Sequence, residues 1–268
     1  MAEHEGRVAL VTGGSSGIGR GIALALGRQG SAVVVHGYDR AEAEATTAEL
    51  VAAGARAVAA WGPIDDPATS ETAVDVAVAQ FGGLDTLVTS AGIQRYGDVV
   101  GTPLATWQEV FAINVTGVYL VARAALPQLR RSAAGSVAII SSVQGVATQA
   151  QVAAYTASKG ALNALARSMA VDEGAYGVRV NSILPGSVDT PMLRHSAALF
   201  ADEHGGDIEQ VLASWGGAHA LGRVGLPAEV GEVVSFITSP RASFMTGGEI
   251  RVDGGLLARL AAALPDRD

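Results

Sequence analysis

The chain has 268 residues, a formal net charge of -8, 49% hydrophobic and 16% charged residues, and no Cys. So much apolar material suits a large core and excludes disorder, the acidic balance excludes a basic nucleic-acid footprint, and the lack of Cys excludes disulfides and thiolate metal sites. The five His are scattered, so no metal is expected. The opening MAEHEGRVALVTGG has acids where a signal peptide is basic, and no apolar run approaches the ~20 residues of a membrane span. A soluble cytoplasmic protein with no nucleic-acid or membrane partner is expected.

In chain order, VALVT at 8–12 reads as a first strand. Thr12-Gly13-Gly14-Ser15-Ser16-Gly17-Ile18-Gly19 follows at once and opens a helix over 17–30. Glycines permit a tight turn and close backbone approach, and a helix start offers free N–H groups and a positive dipole end to a diphosphate. A plain structural turn would look similar, but the position directly after strand one favours dinucleotide binding. The spacing is GxxxGxG, not GxGxxG.

The same rhythm continues: strand AVVVHG at 32–37, helix 41–53, strand ARAVAAW at 55–61, helix 67–81, strand LDTLVTS at 84–90 and helix 104–130. Then come strand SVAIISS at 136–142, helix 152–173, strand VRVNSIL at 178–184, helix 227–237 and strand EIRVD at 249–253. Continuous apolar strands alternating with Ala-rich helices predict an α/β fold. The expected form is doubly wound and Rossmann-type, a mostly parallel seven-stranded sheet with helices on both faces, as one domain over 1–268. The stretch 192–224 breaks the rhythm, carries His195, His204, Trp215 and His219, and is expected to be a substrate lid.

Tyr155 and Lys159 stand four apart, so on a helix they share a face. A tyrosine hydroxyl ordinarily titrates near pH 10, too high for a good base at neutrality, and a nearby ammonium favours the phenolate. The plain alternative is a surface pair. Against it, Lys159 is the only lysine while the other 17 cations are Arg, as if this one position required a compact ammonium. Ser141 and Ser142 compete for one role, since strand alternation points them to opposite faces. Asn114, alone in an apolar helix, reads first as a satisfied structural polar group.

TGGSSGIG near the N-terminus and Tyr155-Thr156-Ala157-Ser158-Lys159 together resemble the short-chain dehydrogenase/reductase family, with further matches in FAINVTG, IISSVQG, SAG at 90–92, NSILPGSVDTPM at 181–192 and TGGEIRVDGG at 246–255. The likeness spans residues 7 to about 255. It implies an NAD(P)-dependent oxidoreductase acting on CH–OH groups, with a catalytic tetrad of Asn114, Ser142, Tyr155 and Lys159. Asn114 would hold a water linking Lys159 to solvent. The cofactor would be met by Gly13, Ser15, Ser16, Gly17, Ile18 and Gly19, by Gly37 and Tyr38 after strand two, and by Ile64. Ser90, Ala91 and Gly92, Tyr155 and Lys159, and Pro185, Gly186, Val188 and Thr190 would complete its site.

The position of an acid that selects NAD falls on Gly37, which favours NADP, although Asp39 lies 20 residues past Gly19 and would select NAD if the strand ran two residues longer. Two departures touch fine cofactor contacts: Ser90 stands where the family has an amide, and Pro63 stands where an Asp often meets the adenine, with Asp65 and Asp66 displaced.

Gln94, Tyr96, Gln144 and Gln149 follow these landmarks closely enough to line a cleft, with Ser142, Gln144, Gln94 and Tyr155 as the expected substrate contacts. A hydroxylated substrate such as a sugar or polyol is expected; a 3-oxoacyl thioester or steroid-type ketone is the alternative. A non-catalytic dinucleotide-binding regulator would keep the glycine turn and lose the Tyr or Lys, and the larger epimerase and dehydratase relatives need a longer chain. Helices 104–130 and 152–173 are apolar on more than one face, which predicts a homotetramer in which the C-terminal LLARLAAALPDRD could also dock.

Overall fold

The structure is a computed structural model and describes residues 3–259. Seven parallel strands form one sheet in the order 3-2-1-4-5-6-7. They are β1 (Val8–Thr12), β2 (Ala32–Gly37), β3 (Ala57–Trp61), β4 (Thr86–Thr89), β5 (Ser136–Ile140), β6 (Arg179–Pro185) and β7 (Glu249–Val252). Every pairing is parallel, so the sheet is wholly rather than mostly parallel. From β1 the chain winds outward to β3, then crosses back to place β4 on the other side of β1. A crevice opens at such a reversal, outside the carboxyl ends of the strands.

Both faces of the sheet are covered, which is why its strands read as unbroken apolar runs. Alternate residues of β1 serve opposite cores: Val8 and Leu10 join one, Ala9 and Val11 the other. Helices α3 (Pro67–Phe81), α5 (Gly117–Leu129) and α6 (Ala153–Glu173) supply Ala73, Val121 and Leu162 to the first. Helices α1 (Gly17–Arg28), α2 (Arg40–Ala52) and α9 (Pro227–Thr238) supply Leu26, Leu50 and Val234 to the second. Helices α1 and α9 touch backbone to backbone, since a Cβ at Gly21 would come within 2.5 Å of the Pro227 carbonyl oxygen.

The helix read over 104–130 has three parts: α4 (Leu104–Phe111), a π-helical turn (Ala112–Thr116) and α5. Contrary to the sequence reading, Leu104–Leu129 is long and apolar enough to span a membrane by composition. Its apolarity has another use here, since Val110, Val121, Ala125 and Leu129 are buried and the last three belong to the core under the sheet. The stretch 192–224 folds into two helices, α7 (Pro191–His204) and α8 (Ile208–Gly217), which share a small core of Ala197, Val211 and Leu212. Of the C-terminal docking segment, residues from 260 onward lie outside the described residues.

Candidate active site

Each element delivers its residues to the carboxyl edge of the sheet for a local reason. Helix α2 is capped by the Asp39 side chain on Glu42 N, and α7 by Thr190 on Leu193 N. Helix α1 differs, for Ser16 makes no side-chain cap and the first N–H groups are left to point at the crevice. The turn before it is closed by its own lack of side chains. Gly13 sits at φ +65°, a Cβ there would come within 2.6 Å of Ala91 N, and a Cβ at Gly19 would overlap the Gly13 carbonyl oxygen.

Ser90 N donates to Thr12 O, locking the Ser90-Ala91-Gly92 segment beside the turn. Thr190 approaches from the other side, its Cγ2 3.3 Å from where a Cβ on Gly17 would stand. Gly13, Ser15, Ser16, Gly17, Ile18 and Gly19 therefore meet the 90–92 segment and Thr190 around one uncapped helix start. A diphosphate fits this backbone cradle. β2, where the adenosine end is expected, does stop being a strand at Gly37. A Cβ at Gly37 would be 2.8 Å from the Ser15 hydroxyl, so the bare backbone lets Ser15 close in. Tyr38 is 82% exposed beside it, whereas Ile64 is buried against Gly117 in the core.

At the opposite end Tyr155, Ser142, Gln144, Gln94, Tyr96 and Gln149 line one cleft of about 1240 Å³. Its other wall comes from Ile18, Pro185, Gly186, Val188 and Thr190, and from Met192, Leu199, Phe200 and Trp215 of the 192–224 stretch. The two serines part as alternation predicts. Ser141 Oγ turns inward and donates to the Lys159 carbonyl oxygen at 3.0 Å, while Ser142 Oγ accepts from Gln144 N at 3.1 Å and reaches the Tyr155 hydroxyl.

Tyr155 and Lys159 are both buried on one face of α6. Lys159 Nζ donates to the Ile140 carbonyl oxygen at 3.0 Å and stands 5.4 Å from the Tyr155 ring centre, over the ring. Burial pushes the phenol up to about 12, against the pull of Ser142 and with the Tyr96 hydroxyl adding to the rise. Burial likewise brings the Lys159 ammonium down to about 8. The lowered phenol expected from the Tyr–Lys spacing is thus not what this arrangement produces: the ammonium faces the ring and a carbonyl, and burial is the largest influence on the phenol.

Asn114 lies in the π-helical turn, fully buried. Its Oδ1 accepts from Ile93 N at 2.8 Å, and its Nδ2 donates to Ile93 O at 2.9 Å and Ser158 Oγ at 3.1 Å. The satisfied reading of this residue is therefore present here, and Asn114 is what pins the chain leaving Gly92. Two residues read from sequence only as parts of longer stretches have partners here. Ser158 is buried between Asn114 and the Tyr155 carbonyl oxygen, to which it donates at 2.7 Å. His219 is 3% exposed and hydrogen-bonded to the loop after β6.

Residues 13–257 match a family described as Enoyl-(Acyl carrier protein) reductase. The 3-alpha-(or 20-beta)-hydroxysteroid dehydrogenase of Mycobacterium tuberculosis is 40% identical over 256 residues, covering 96% of this chain and 91% of that one. The L-rhamnose 1-dehydrogenase (NAD(P)(+)) of a Sphingomonas species is 31% identical, covering 96% and 98%. The solved aldohexose dehydrogenase of Thermoplasma acidophilum superposes with a TM-score of 0.89 at 32% identity, over 99% of both chains. The sheet order, the glycine turn over an uncapped helix and these full-length similarities agree: the chain belongs to the short-chain dehydrogenase/reductase family of NAD(P)-dependent oxidoreductases.

Proposed function

We propose that this protein interconverts a secondary alcohol and its ketone, with Tyr155 as the proton donor and acceptor. The observation that carries this is that Tyr155 and Ser142 line one cleft beside a turn built for a diphosphate, with Lys159 buried behind the Tyr155 ring. The bound nicotinamide supplies the hydride exchange. In the reducing direction the Tyr155 hydroxyl, protonated at neutral pH, gives its proton to the carbonyl oxygen while Ser142 donates a hydrogen bond to the same atom. In the oxidising direction the less populated phenolate form of Tyr155 is the acceptor, and its Oη takes the proton of the alcohol to restore the hydroxyl. Lys159, whose ammonium burial brings down to about 8, stands over the Tyr155 ring and would hold the ribose of the cofactor. Asn114 holds the Gly92–Ile93 backbone in register with them and, as the resemblance implies, anchors a water leading from Lys159 to solvent.

For the cofactor we favour NADP, with NAD also used. β2 ends at Gly37 with no acid there, and the Asp39 carboxylate is turned into the start of α2 as its cap. Glu42, hydrogen-bonded to Ser15 at 3.4 Å, works against a 2′-phosphate, and Arg40 is its available partner once released from Glu44. Dissociation constants for the two reduced nucleotides decide this; tighter binding of NADH refutes it.

The substrate proposed is a hydroxylated ring such as a sugar or polyol, with Gln94, Gln144 and Gln149 facing its hydroxyls. The relatives named for rhamnose and aldohexose support this. A steroid-type ketone is the second reading, favoured by the apolar wall of Met192, Leu199, Phe200 and Trp215. The stretch 192–224 is the proposed lid over either. A panel of pyranoses, polyols and steroids followed at the reduced-nicotinamide absorbance tests the class, and a preference for every steroid over every polyol overturns it. Tyr155→Phe should bind nucleotide as before and lose about 10²–10⁴-fold in turnover; near-normal turnover would remove Tyr155 from the chemistry.

We also propose a homotetramer. Leu104, Tyr119 and Val171 are exposed on α4, α5 and α6, an apolar surface that isologous pairing would cover. Light scattering that gives the mass of one chain would refute it.

A further inference from the structure

His219 is a buried imidazole with no part in the proton transfer above. It follows the C-terminus of α8, and its two ring nitrogens face two different parts of the molecule. Ser187 N lies 3.1 Å from Nε2, and the Trp215 carbonyl oxygen lies 3.1 Å from Nδ1. A backbone N–H can only donate and a carbonyl can only accept, so the tautomer is fixed: Nε2 accepts from Ser187 N–H, and Nδ1–H donates to Trp215 O.

The surroundings are shaped to the ring. A Cβ at Gly186 would come within 3.0 Å of Nε2, and one at Gly254 within 3.5 Å of the ring carbons. The loop and the return of the lid are also joined through backbone: Gly225 N donates to Ser187 O, and Asp189 N to Gly225 O. The ring thus bridges the 185–188 loop and the end of α8 by two hydrogen bonds.

We propose that His219 is a positioning residue that sets the cofactor-facing loop Pro185-Gly186-Ser187-Val188 with one nitrogen and the lid wall at Trp215 with the other. This rests on the reading of that loop as a cofactor contact and of α7–α8 as the lid. Its consequence is a separation of effects. Loss of the Nε2 acceptor leaves the loop to its backbone bonds with Gly225 and weakens nucleotide binding, whereas loss of the Nδ1–H donor leaves Trp215 O to Ala218 N alone and weakens substrate binding.

The two amides divide these roles. His219→Gln places its oxygen near the site of Nε2 and restores the Ser187 bond, while His219→Asn places its NH₂ near the site of Nδ1 and restores the Trp215 bond. Expected for His219→Leu is a rise of about tenfold in both the dissociation constant for reduced nucleotide, read by its fluorescence, and the KM of the alcohol. In His219→Gln the nucleotide constant should return to within about threefold of wild type with KM still raised, and in His219→Asn the reverse. Should the Leu variant not fold, the contrast between the Gln and Asn variants carries the test. Equal behaviour of those two, or constants within twofold of wild type in all three, overturns the proposal. Wild-type protein that binds no nucleotide would overturn the site reading beneath it as well, and is seen before any variant is made.

Discussion

The two ends of the crevice are built on opposite principles. At the glycine turn the surface is mostly backbone: a Cβ at Gly13 or Gly19 would run into main chain, one at Gly37 into Ser15, and one at Gly17 would press on the Thr190 side chain. At the proposed lid the cleft wall is instead made of side chains on α7 and α8, where Leu199 and Phe200 are 45% and 42% exposed and Trp215 meets Phe200 edge-on at 5.9 Å. The first end tolerates almost no change and suits one invariant group. The second tolerates much, which is how one fold accepts many alcohols.

The sharpest way to break this contrast is at Gly19. An alanine there drives its Cβ into the Gly13 carbonyl oxygen, and Gly19→Ala is expected to abolish nucleotide binding and cost about 3 kcal/mol or more of stability in chemical denaturation. A variant that binds nucleotide normally would show that the turn yields.

A comparable effect lies in pH, just before the adenosine end. Burial holds the His36 imidazole down to about 4, with the Gly62 backbone opposing. Between pH 6.5 and 4 the unfolded chain therefore binds a proton that the folded chain refuses, so stability is full above 6.5 and declines on acidification. The loss by pH 4 should be on the order of 3 kcal/mol. His36→Leu, of similar bulk and without a titrating group, should flatten that part of the curve; an unchanged slope would assign it elsewhere.

The smallest effect is expected at the lid. Phe200→Ala removes a half-exposed ring that stacks on His204 at 4.1 Å and lines the cleft. It should change the KM for the preferred alcohol by about tenfold while the melting temperature stays within about 3 °C. A large drop in melting temperature would mean that the lid is part of the core after all.

Much of this was legible in the chain itself. The seven strands and most of the helices follow from period and composition, because a sheet covered on both faces demands unbroken apolar runs and several helices carry their own caps, such as Asp39, Asp66 and Thr190. The turn TGGSSGIG and the pair Tyr155 and Lys159 were visible because a motif within eight residues, or four apart on a helix, has its geometry fixed locally. Alternation even separated Ser142 from Ser141. Long-range relations were not legible. Asn114 reaches Ile93 and Ser158 across 21 and 44 residues of chain, and His219 reaches Ser187 across 32, and no local pattern marks such partners. The Tyr155 phenol is the clearest case. From sequence its neighbour Lys159 should lower it, yet the folded site raises it to about 12, because desolvation depends on how much protein closes around a group, and that is decided only when the sheet, α6 and the loop after β5 come together.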